Sequence, residues 1–187
     1  MELTTIDDLF ELLDASAAHD DGEAVDLRAH ALQCAHLLSR AAPDDLELQV
    51  AGLVHDVYHA VDPRADAIHD REGARLVEPL LGGRVARLVG GHVVAKRYLV
   101  STDPAYRSAL SARSMETLVH QGGDLDGAAR RVIDDSPDRD ALLALRRADS
   151  IDLLDRGEAR GHTRLHVARA QAVQHRSHVR HHRVPLA

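Results

Sequence analysis

The chain has 187 residues, 44% hydrophobic and 28% charged, a composition typical of one folded domain rather than of a disordered chain. Its formal net charge of -7 argues against general nucleic-acid binding, because such binding needs a basic face to neutralise phosphate. The single cysteine, Cys34, excludes an internal disulfide framework and is expected of a protein in a reducing cytoplasm.

Apolar residues recur at helical spacing through most of the chain, and neither a strand pattern nor an internal repeat is visible. Thr5 is expected to cap a first helix, and a second helix is predicted from about Glu23 to Arg40. The stretch PDDLELQVAGLVHDVYHA begins a third helix after Pro43, with Asp44 as its expected N-cap.

The second half of the chain continues the helical pattern. A fourth helix is predicted over about 67–80, and a fifth over GRVARLVGGHVVAKRYL. Short helices are expected between 103 and 134. Ser136 as cap, with Pro137 at the first helical position, predicts the start of the last helix. The sequence therefore predicts an all-α fold.

Two parts of the chain differ in composition. Residues 1–157 are predicted to form the all-α domain, whereas 158–187 form a tail that contains six of the 14 histidines beside many arginines. We interpret the tail as a solvated, fraying helix, with a polyanion-binding or adventitious metal-binding tail as the alternative. The acidic N-terminus lacks the features of a signal peptide, and no apolar stretch approaches the ~20 residues that span a bilayer. We expect a cytoplasmic monomer or small homo-oligomer with neither nucleic-acid nor membrane partners.

Histidine and aspartate residues fall on or beside the apolar faces of five predicted helices. One such histidine is usually a hydrogen-bonded core residue, but several together carry a burial cost that a shared cation would remove. The six positions are His30, His55, Asp56, His69, His92 and Asp149.

The residue types narrow the choice of ion. The absence of a thiolate set excludes a cysteine-rich zinc site, and imidazoles with carboxylates suit iron, manganese, nickel or zinc. Six ligands are too many for one tetrahedral ion with an open position, so we predict two metals bridged by Asp56. A zinc or manganese pair would favour hydrolysis, whereas an iron pair would add redox and O2 chemistry.

The series of His30, the HD pair at 55–56 and Asp149 resembles the HD-domain superfamily of helical metal-dependent enzymes. The stretches GEAVDLRAHALQCA, HDREGARLV, HVVAKRYL, DPAYRSALSARSMETLVHQGG and LRRADSIDL are similar to its mixed-valent di-iron oxygenases, the phosphonate-degrading, PhnZ-like group. This resemblance covers about residues 20–155. It implies a compact HD-domain helical bundle with a two-metal site between helices. It also implies an Fe(II)/Fe(III) pair that uses O2 to cleave the carbon–phosphorus bond of a 1-hydroxy-(amino)alkylphosphonate, giving phosphate and a carboxylic (amino) acid.

The resemblance also implies residue roles. The six positions would be the iron ligands, and Asp56 would bridge the two ions. Glu23 would lie near the amino end of the substrate, although a glutamate that merely favours the helix dipole is the alternative. Catalytic roles would fall to Asp56, His59, Lys96 and Glu23. The residues that would grip the phosphonate are His59, Lys96, Ser114, Thr117 and Arg146.

Simpler interpretations of the phosphonate contacts stay open. Lys96 and Arg146 could be surface residues whose stems cover the core. Ser114 and Thr117 could be ordinary hydroxyls at helix contacts.

Two departures from the family pattern bear on the substrate. Tyr58 stands where the family has a glycine, which should alter packing just behind the metals. Asp20 stands where the family has a lid tyrosine, so Asp20 either ligates iron or the lid is missing. Both changes favour a different aminophosphonate, N-methylated or bulkier.

Two other functions remain open from the sequence. The alternative enzyme is a metal-dependent phosphohydrolase that acts on a nucleotide or small phosphate ester, because the same ligands would serve a metal-bound hydroxide. The other alternative is a non-enzymatic helical module with structural histidines.

Overall fold

The computed structural model describes residues 2–18 and 26–150. Over these residues the chain forms nine α-helices and two short 3-10 helices with no β-strand, so the predicted all-α class is confirmed. The α-helices are α1 (Ile6–Ala15), α2 (Leu27–Ala41), α3 (Leu46–Val54), α4 (His69–Leu81), α5 (Gly83–Thr102), α6 (Pro104–Ala109), α7 (Ala112–His120), α8 (Gly127–Asp134) and α9 (Arg139–Asp149); the 3-10 helices are Ser16–Ala18 and Val57–Ala60.

Side-chain caps fix the starts of the early helices. The Thr5 hydroxyl accepts a hydrogen bond from the Asp8 backbone N–H at 3.1 Å, and the Asp8 carboxylate accepts from the Thr5 N–H at 2.8 Å, which confirms the predicted cap of α1. The prediction that Asp44 caps α3 is wrong by one residue. Asp45 is the cap, because its carboxylate accepts from the Leu48 N–H at 3.1 Å.

Helix α9 begins later than the sequence predicts. Its N-cap is Asp138, and the predicted cap Ser136 instead accepts from the Asp138 N–H at 3.2 Å within the preceding turn. The Asp138 carboxylate makes no cap hydrogen bond, because it accepts from Arg84 at 3.2 Å and Arg87 at 2.9 Å on α5. A tertiary ion pair therefore replaces the local cap.

Helix α5 lies at the centre of the fold and packs against α3, α4 and α9. Val85, Leu88 and Val89 share one face of this helix at helical spacing and are fully buried. Gly90 lets α4 approach closely, because a Cβ at this position would lie 3.2 Å from the Ala74 Cβ. This close crossing brings the start of α4 beside the middle of α5.

The chain leaves helical geometry directly after α3. Consecutive residues in an α-helix point about 100° apart, so a continuing helix would separate the side chains of His55 and Asp56. The helix ends at Val54, and Asp56 adopts φ -105° and ψ 11° before the 3-10 helix Val57–Ala60. The two neighbouring side chains consequently face the same part of the interior.

Within the described residues, none of the helices has both the length and the apolar character needed to cross a bilayer. The predicted domain limit at 157, the tail 158–187 and the predicted start of the second helix at Glu23 lie outside the described ranges.

Candidate metal centre

The fold brings all six predicted ligand residues into one buried cluster with two overlapping groups. In each group, potential ligand atoms lie within 4.8 Å of one another. They come from α2, the two residues directly after α3, the start of α4, the middle of α5 and the end of α9. The first group is His30, His55, Asp56 and Asp149, and the second is Asp56, His69 and His92.

Asp56 belongs to both groups, and its two oxygens face different histidines. Oδ2 lies 3.2 Å from Nε2 of His55 in the first group. Oδ1 lies 3.3 Å from Nε2 of His69 and 3.5 Å from Nε2 of His92 in the second group. This is the arrangement that a carboxylate adopts when its oxygens serve two neighbouring cations.

Asp149 completes the first group at the end of α9. Its Oδ1 lies 3.1 Å from Nε2 of His30 and 3.3 Å from Nε2 of His55. Its Oδ2 accepts from the Arg146 guanidinium one helical turn earlier. One oxygen thus faces the histidines while the other is held by a cation.

Backbone carbonyls fix the orientation of three imidazoles. Nδ1 of His55 donates to the Gly52 carbonyl at 2.9 Å, and Nδ1 of His69 donates to the Asp66 carbonyl at 3.0 Å. Nδ1 of His92 likewise donates to the carbonyl three residues earlier, at 2.6 Å. A carbonyl can only accept, so each Nδ1 carries a proton, and Nε2 is left to bind either a second proton or a metal ion. This is the tautomer and orientation of metal-binding histidines.

The Nε2 atoms of these three histidines are placed to bind a cation. Nε2 of His69 and Nε2 of His92 lie 3.0 Å apart, so two lone pairs face each other unless a proton or metal ion lies between them. Nε2 of His55 is buried without a hydrogen bond of acceptable geometry, although two carboxylate oxygens lie nearby. An unsatisfied buried polar atom costs about 1–3 kcal/mol, and a bound cation would remove that cost.

The cluster is strongly polarised. Burial acts against charge on Asp56, but the neighbouring His55 holds the pKa of this carboxyl well below its usual range. Burial similarly opposes charge on Asp149, but Arg146 and His55 hold its pKa well below the usual range. Burial also opposes charge on His55, but the two carboxylates raise its pKa well above the ordinary value. Both carboxylates are therefore ionised at neutral pH and available to a metal.

Lys96 lies one turn after His92 on α5 and is only 3% exposed. Its Nζ donates to the Thr117 hydroxyl at 2.7 Å and to Oε1 of Gln121 at 3.0 Å. Burial and the nearby Arg146 charge lower the pKa of Lys96 to about 8. The alternative that Lys96 is a surface residue is therefore wrong.

Arg146 is also buried, with 5% exposure, so the surface alternative is wrong for this residue too. Its Nε donates to the Tyr106 hydroxyl at 2.6 Å, and its other contact is the Asp149 carboxylate. Burial opposes the charge, but Asp149 and Tyr106 raise the pKa of Arg146 above its ordinary value. Arg146 holds a candidate ligand in place and remains a full cation beside it.

The other predicted residues lie at varying distances from the cluster. The His59 ring stacks on the His69 ring with centroids 4.5 Å apart. The Ser114 carbonyl accepts from the Thr117 hydroxyl at 3.2 Å, and its own backbone N–H donates to the Ser111 cap. Glu23 and Asp20 lie outside the residues that the structure describes.

Tyr58, which stands at the family's glycine position, lies close to Gly73 on α4. A Cβ added to Gly73 on α4 would lie 3.6 Å from the Tyr58 Cβ and 3.8 Å from the His55 carbonyl. These are ordinary van der Waals distances, so α4 packs in direct contact with His55 and Tyr58 at this point.

Two polar residues of the site carry no predicted role from the sequence, Tyr106 and Gln121. Tyr106 is one of only three tyrosines in the chain, which is a weak signal. Gln121 stands four residues after Thr117, and this spacing places both on one side of α7. What identifies them is contact with Arg146 and Lys96, and that contact depends on how the helices pack.

Comparisons with known proteins agree with a metal-dependent oxidative enzyme. No protein-family model matches the chain. An alignment of 136 residues, 31% identical, covers 68% of this chain and 69% of the 1-hydroxy-2-(trimethylamino)ethylphosphonate dioxygenase (glycine-betaine-forming) of Leisingera caerulea. A second alignment of 150 residues, also 31% identical, covers 75% of this chain and 74% of the hydroxymethylphosphonate dioxygenase of Gimesia maris. Since both relatives share this identity over more than two thirds of their length, the chain belongs to the family of phosphonate dioxygenases.

Proposed function

We propose that this protein is a di-iron, HD-type dioxygenase that cleaves the carbon–phosphorus bond of a 1-hydroxyalkylphosphonate. O2 is the co-substrate, and the products are phosphate and a carboxylic acid. The reaction balances without an external reductant, because R–CH(OH)–PO3H2 and O2 together contain the atoms of R–COOH and H3PO4. The observation that carries the proposal is the position of Asp56, whose two oxygens face separate histidine groups.

The donor set supports iron in the proposed centre. Four imidazoles and two carboxylates, with no thiolate among them, suit iron but also manganese and zinc. The relatives named as dioxygenases favour a redox metal among these. Two bound iron ions would supply the capacity to reduce O2, which protein side chains lack, together with a positive charge that attracts a phosphonate.

In this proposal, Lys96 and the residues around it bind the phosphonate group. The Lys96 ammonium has three N–H donors, of which two are directed to Thr117 and Gln121. The third is available for a phosphonate oxygen. Lys96 lies beside the metal cluster and is buried, so its attraction for a dianion is screened little by water.

Other residues complete the proposed grip on the substrate. His59 lies on the His69 side of the cluster, and Arg146 supplies a fixed cation on the Asp149 side. Ser114 and Thr117 contribute hydroxyl groups from α7, and Thr117 would turn its proton from the Ser114 carbonyl to the phosphonate. Between them these groups would orient the C1 hydroxyl toward the ligands and hold the phosphonate against the centre.

The amino end of the substrate is a separate part of the proposal. We propose that the chain accepts an N-methylated or bulkier aminophosphonate, with Glu23 near the ammonium group. The name of the Leisingera caerulea relative specifies a trimethylamino substituent, which supports this choice. The name of the Gimesia maris relative specifies a substrate without an amine, which makes hydroxymethylphosphonate the informative comparison.

The test is aerobic turnover of three 1-hydroxyphosphonates by protein loaded with Fe(II). The panel is hydroxymethylphosphonate, 2-amino-1-hydroxyethylphosphonate and its N-trimethyl derivative. We expect phosphate release with equal O2 consumption, and label from 18O2 in the products. The matched control is Asp56→Asn, which preserves the side-chain shape but should lose at least about a hundredfold in rate.

Two outcomes would contradict the proposal. Phosphate release from a nucleotide or phosphate ester, anaerobically and with manganese, would favour the phosphohydrolase alternative. Turnover confined to 2-amino-1-hydroxyethylphosphonate would leave the dioxygenase function intact but exclude the N-methylated substrate.

A further inference from the structure

Asp66, in the segment between the 3-10 helix and α4, contacts two parts of the molecule at once. Its backbone carbonyl accepts from Nδ1 of His69, a candidate metal ligand, at 3.0 Å. Its carboxylate accepts from Nη2 of Arg113 on α7, with Oδ1 at 3.2 Å and Oδ2 at 3.1 Å. A single residue therefore links the orientation of His69 to the position of α7.

Helix α7 has few apolar contacts to hold it. Leu118 is its only buried residue. Just beyond its C-terminal end, the Arg97 guanidinium donates to the carbonyls of Gly122 at 2.9 Å and Gly123 at 2.8 Å. Both glycines have positive φ, a backbone conformation that is strained for residues with a side chain. Backbone geometry thus fixes the C-terminal end, where Nδ1 of His120 also lies 4.0 Å from the Asp66 carboxylate. The first turn is held by the shorter contact between Arg113 and Asp66.

Arg113 lies where the helix dipole disfavours a cation. Arg113 is the second residue of α7, and a cation near a helix N-terminus is disfavoured by the helix dipole. The pairing with Asp66, together with a longer hydrogen bond from Nη1 to the Glu116 carboxylate at 3.4 Å, offsets that penalty. The two side chains are 30% and 22% exposed, so water weakens the pair without abolishing it.

We infer that Arg113 and Asp66 form a clasp that sets the position of the first turn of α7 relative to the metal cluster. This inference rests on the proposed function, in which Ser114 and Thr117 of α7 bind the phosphonate. Neither member of the clasp touches the substrate; both are positioning residues. Because the first turn of α7 carries a binding contact and no metal ligand, its misplacement should weaken substrate binding more than it slows the chemical step.

The test is a double-mutant cycle of Arg113→Ala, Asp66→Asn and the double variant. Asp66→Asn keeps the backbone carbonyl that orients His69. We expect each single variant to raise KM for the hydroxyphosphonate about three- to tenfold, with kcat within about twofold of the wild type. The KM of the double variant should be no higher than that of either single variant. Each single substitution already removes the interaction between the two side chains, so the second substitution has nothing further to remove.

Arg107, six residues before Arg113, provides a matched control. Arg107 makes an exposed ion pair with Asp124, at 2.9 and 2.8 Å, that touches no site residue. Arg107→Ala should leave KM unchanged. Hydrogen–deuterium exchange should accelerate over 111–116 in Arg113→Ala and not in Arg107→Ala.

A second readout separates this inference from the proposed function. The affinity of the metal-loaded protein for inorganic phosphate is measured by calorimetry for all four proteins, and it should fall in parallel with KM. If the wild type turns over no hydroxyphosphonate but the phosphate cycle is non-additive, the proposed function fails and the clasp stands. Additive effects, or unchanged phosphate affinity in Arg113→Ala, would overturn the clasp. A fall in kcat and metal content at unchanged KM would also overturn it, since the pair would then act through His69.

Discussion

At the scale of single residues, the hydrogen bond at Nδ1 decides what each imidazole can do. His55, His69 and His92 each donate that proton to a carbonyl three residues earlier. This local contact leaves Nε2 as the acceptor that faces the cluster. The same contact orients the ring before any metal binds, so a metal would meet a site that is already arranged.

Lys96 gives a prediction about pH at this scale. Burial and Arg146 lower its pKa to about 8, so the ammonium form that attracts a phosphonate is present below pH 8 and lost above it. We expect kcat/KM of the wild type to fall about tenfold per pH unit above this value. In Lys96→Arg this alkaline decrease in kcat/KM should disappear, because arginine stays charged. The rate of phosphate release is measured between pH 6 and 10 for both proteins. An identical decrease above pH 8 in both would exclude Lys96 as the cause of that decrease.

At the scale of elements, α5 connects the cluster to the rest of the fold. It carries His92 and Lys96 at its middle and Arg84 near its start. Arg84 donates to both oxygens of Asp45 at 2.7 Å and to Asp138 at 3.2 Å, which ties α5 to the N-terminal ends of α3 and α9. His55 and Asp149 lie at the C-terminal ends of these two helices, where they join the cluster.

Replacement of Arg84 should therefore destabilise the protein. Arg84→Ala leaves Asp45, Glu47 and Asp138 close together without their shared cation, and we expect a loss of about 1–3 kcal/mol in the free energy of unfolding at pH 7. Arg84 lowers the pKa of Asp45, so this stability is present above the ordinary pKa of 3.8 and is lost as the pH falls through and below that value. The difference between wild type and variant should thus shrink toward pH 3. Urea unfolding of both metal-free proteins at pH 7 and pH 3 measures it, and an equal difference at both pH values would contradict the ionic origin.

At the scale of the whole molecule, the cluster is the point where five separate parts of the chain meet. His30, Asp56 and Asp149 come from positions far apart in sequence, and Nε2 of His30 and Oδ1 of Asp149 lie 3.1 Å apart across 119 residues. Two metal ions, one in each group with Asp56 shared, would together cross-link the five segments that contain α2, α3, α4, α5 and α9. Ions that bind only the folded state stabilise it by mass action.

Metal loading should accordingly raise the melting temperature. At a free metal concentration of about 100 times Kd we expect roughly 2.7 kcal/mol per site, or about 5–10 °C for a chain of this size. Calorimetry of the chelator-treated and Fe(II)-loaded protein measures this shift. Asp56→Asn should show a smaller shift and fewer bound ions per chain. The control is Arg107→Ala, whose ion pair is exposed to solvent and which should show the same shift as the wild type. A shift in Asp56→Asn equal to that of the wild type would exclude Asp56 as a ligand.

The sequence predicted the helices well and their exact starts less well. Helical periodicity identified α5, because Val85, Leu88, Val89 and Val93 recur at the spacing of one helix face. Asp138 was not identified as the cap of α9, because its carboxylate is engaged by arginines 51 and 54 residues away. Local signals describe what a segment favours by itself, and a distant charge can outweigh them.

What the sequence by itself determined was the all-α class and the six histidine and aspartate positions, since a polar residue on an apolar face is visible in the residue pattern alone. Only the tertiary structure decided how those residues divide into two groups around Asp56, and which lone pairs face each other. It also decided that Lys96 and Arg146 are buried, and that Tyr106, Gln121 and Asp66 contact the site. These features depend on distances between helices, and those distances follow from side-chain packing between segments that no local pattern connects.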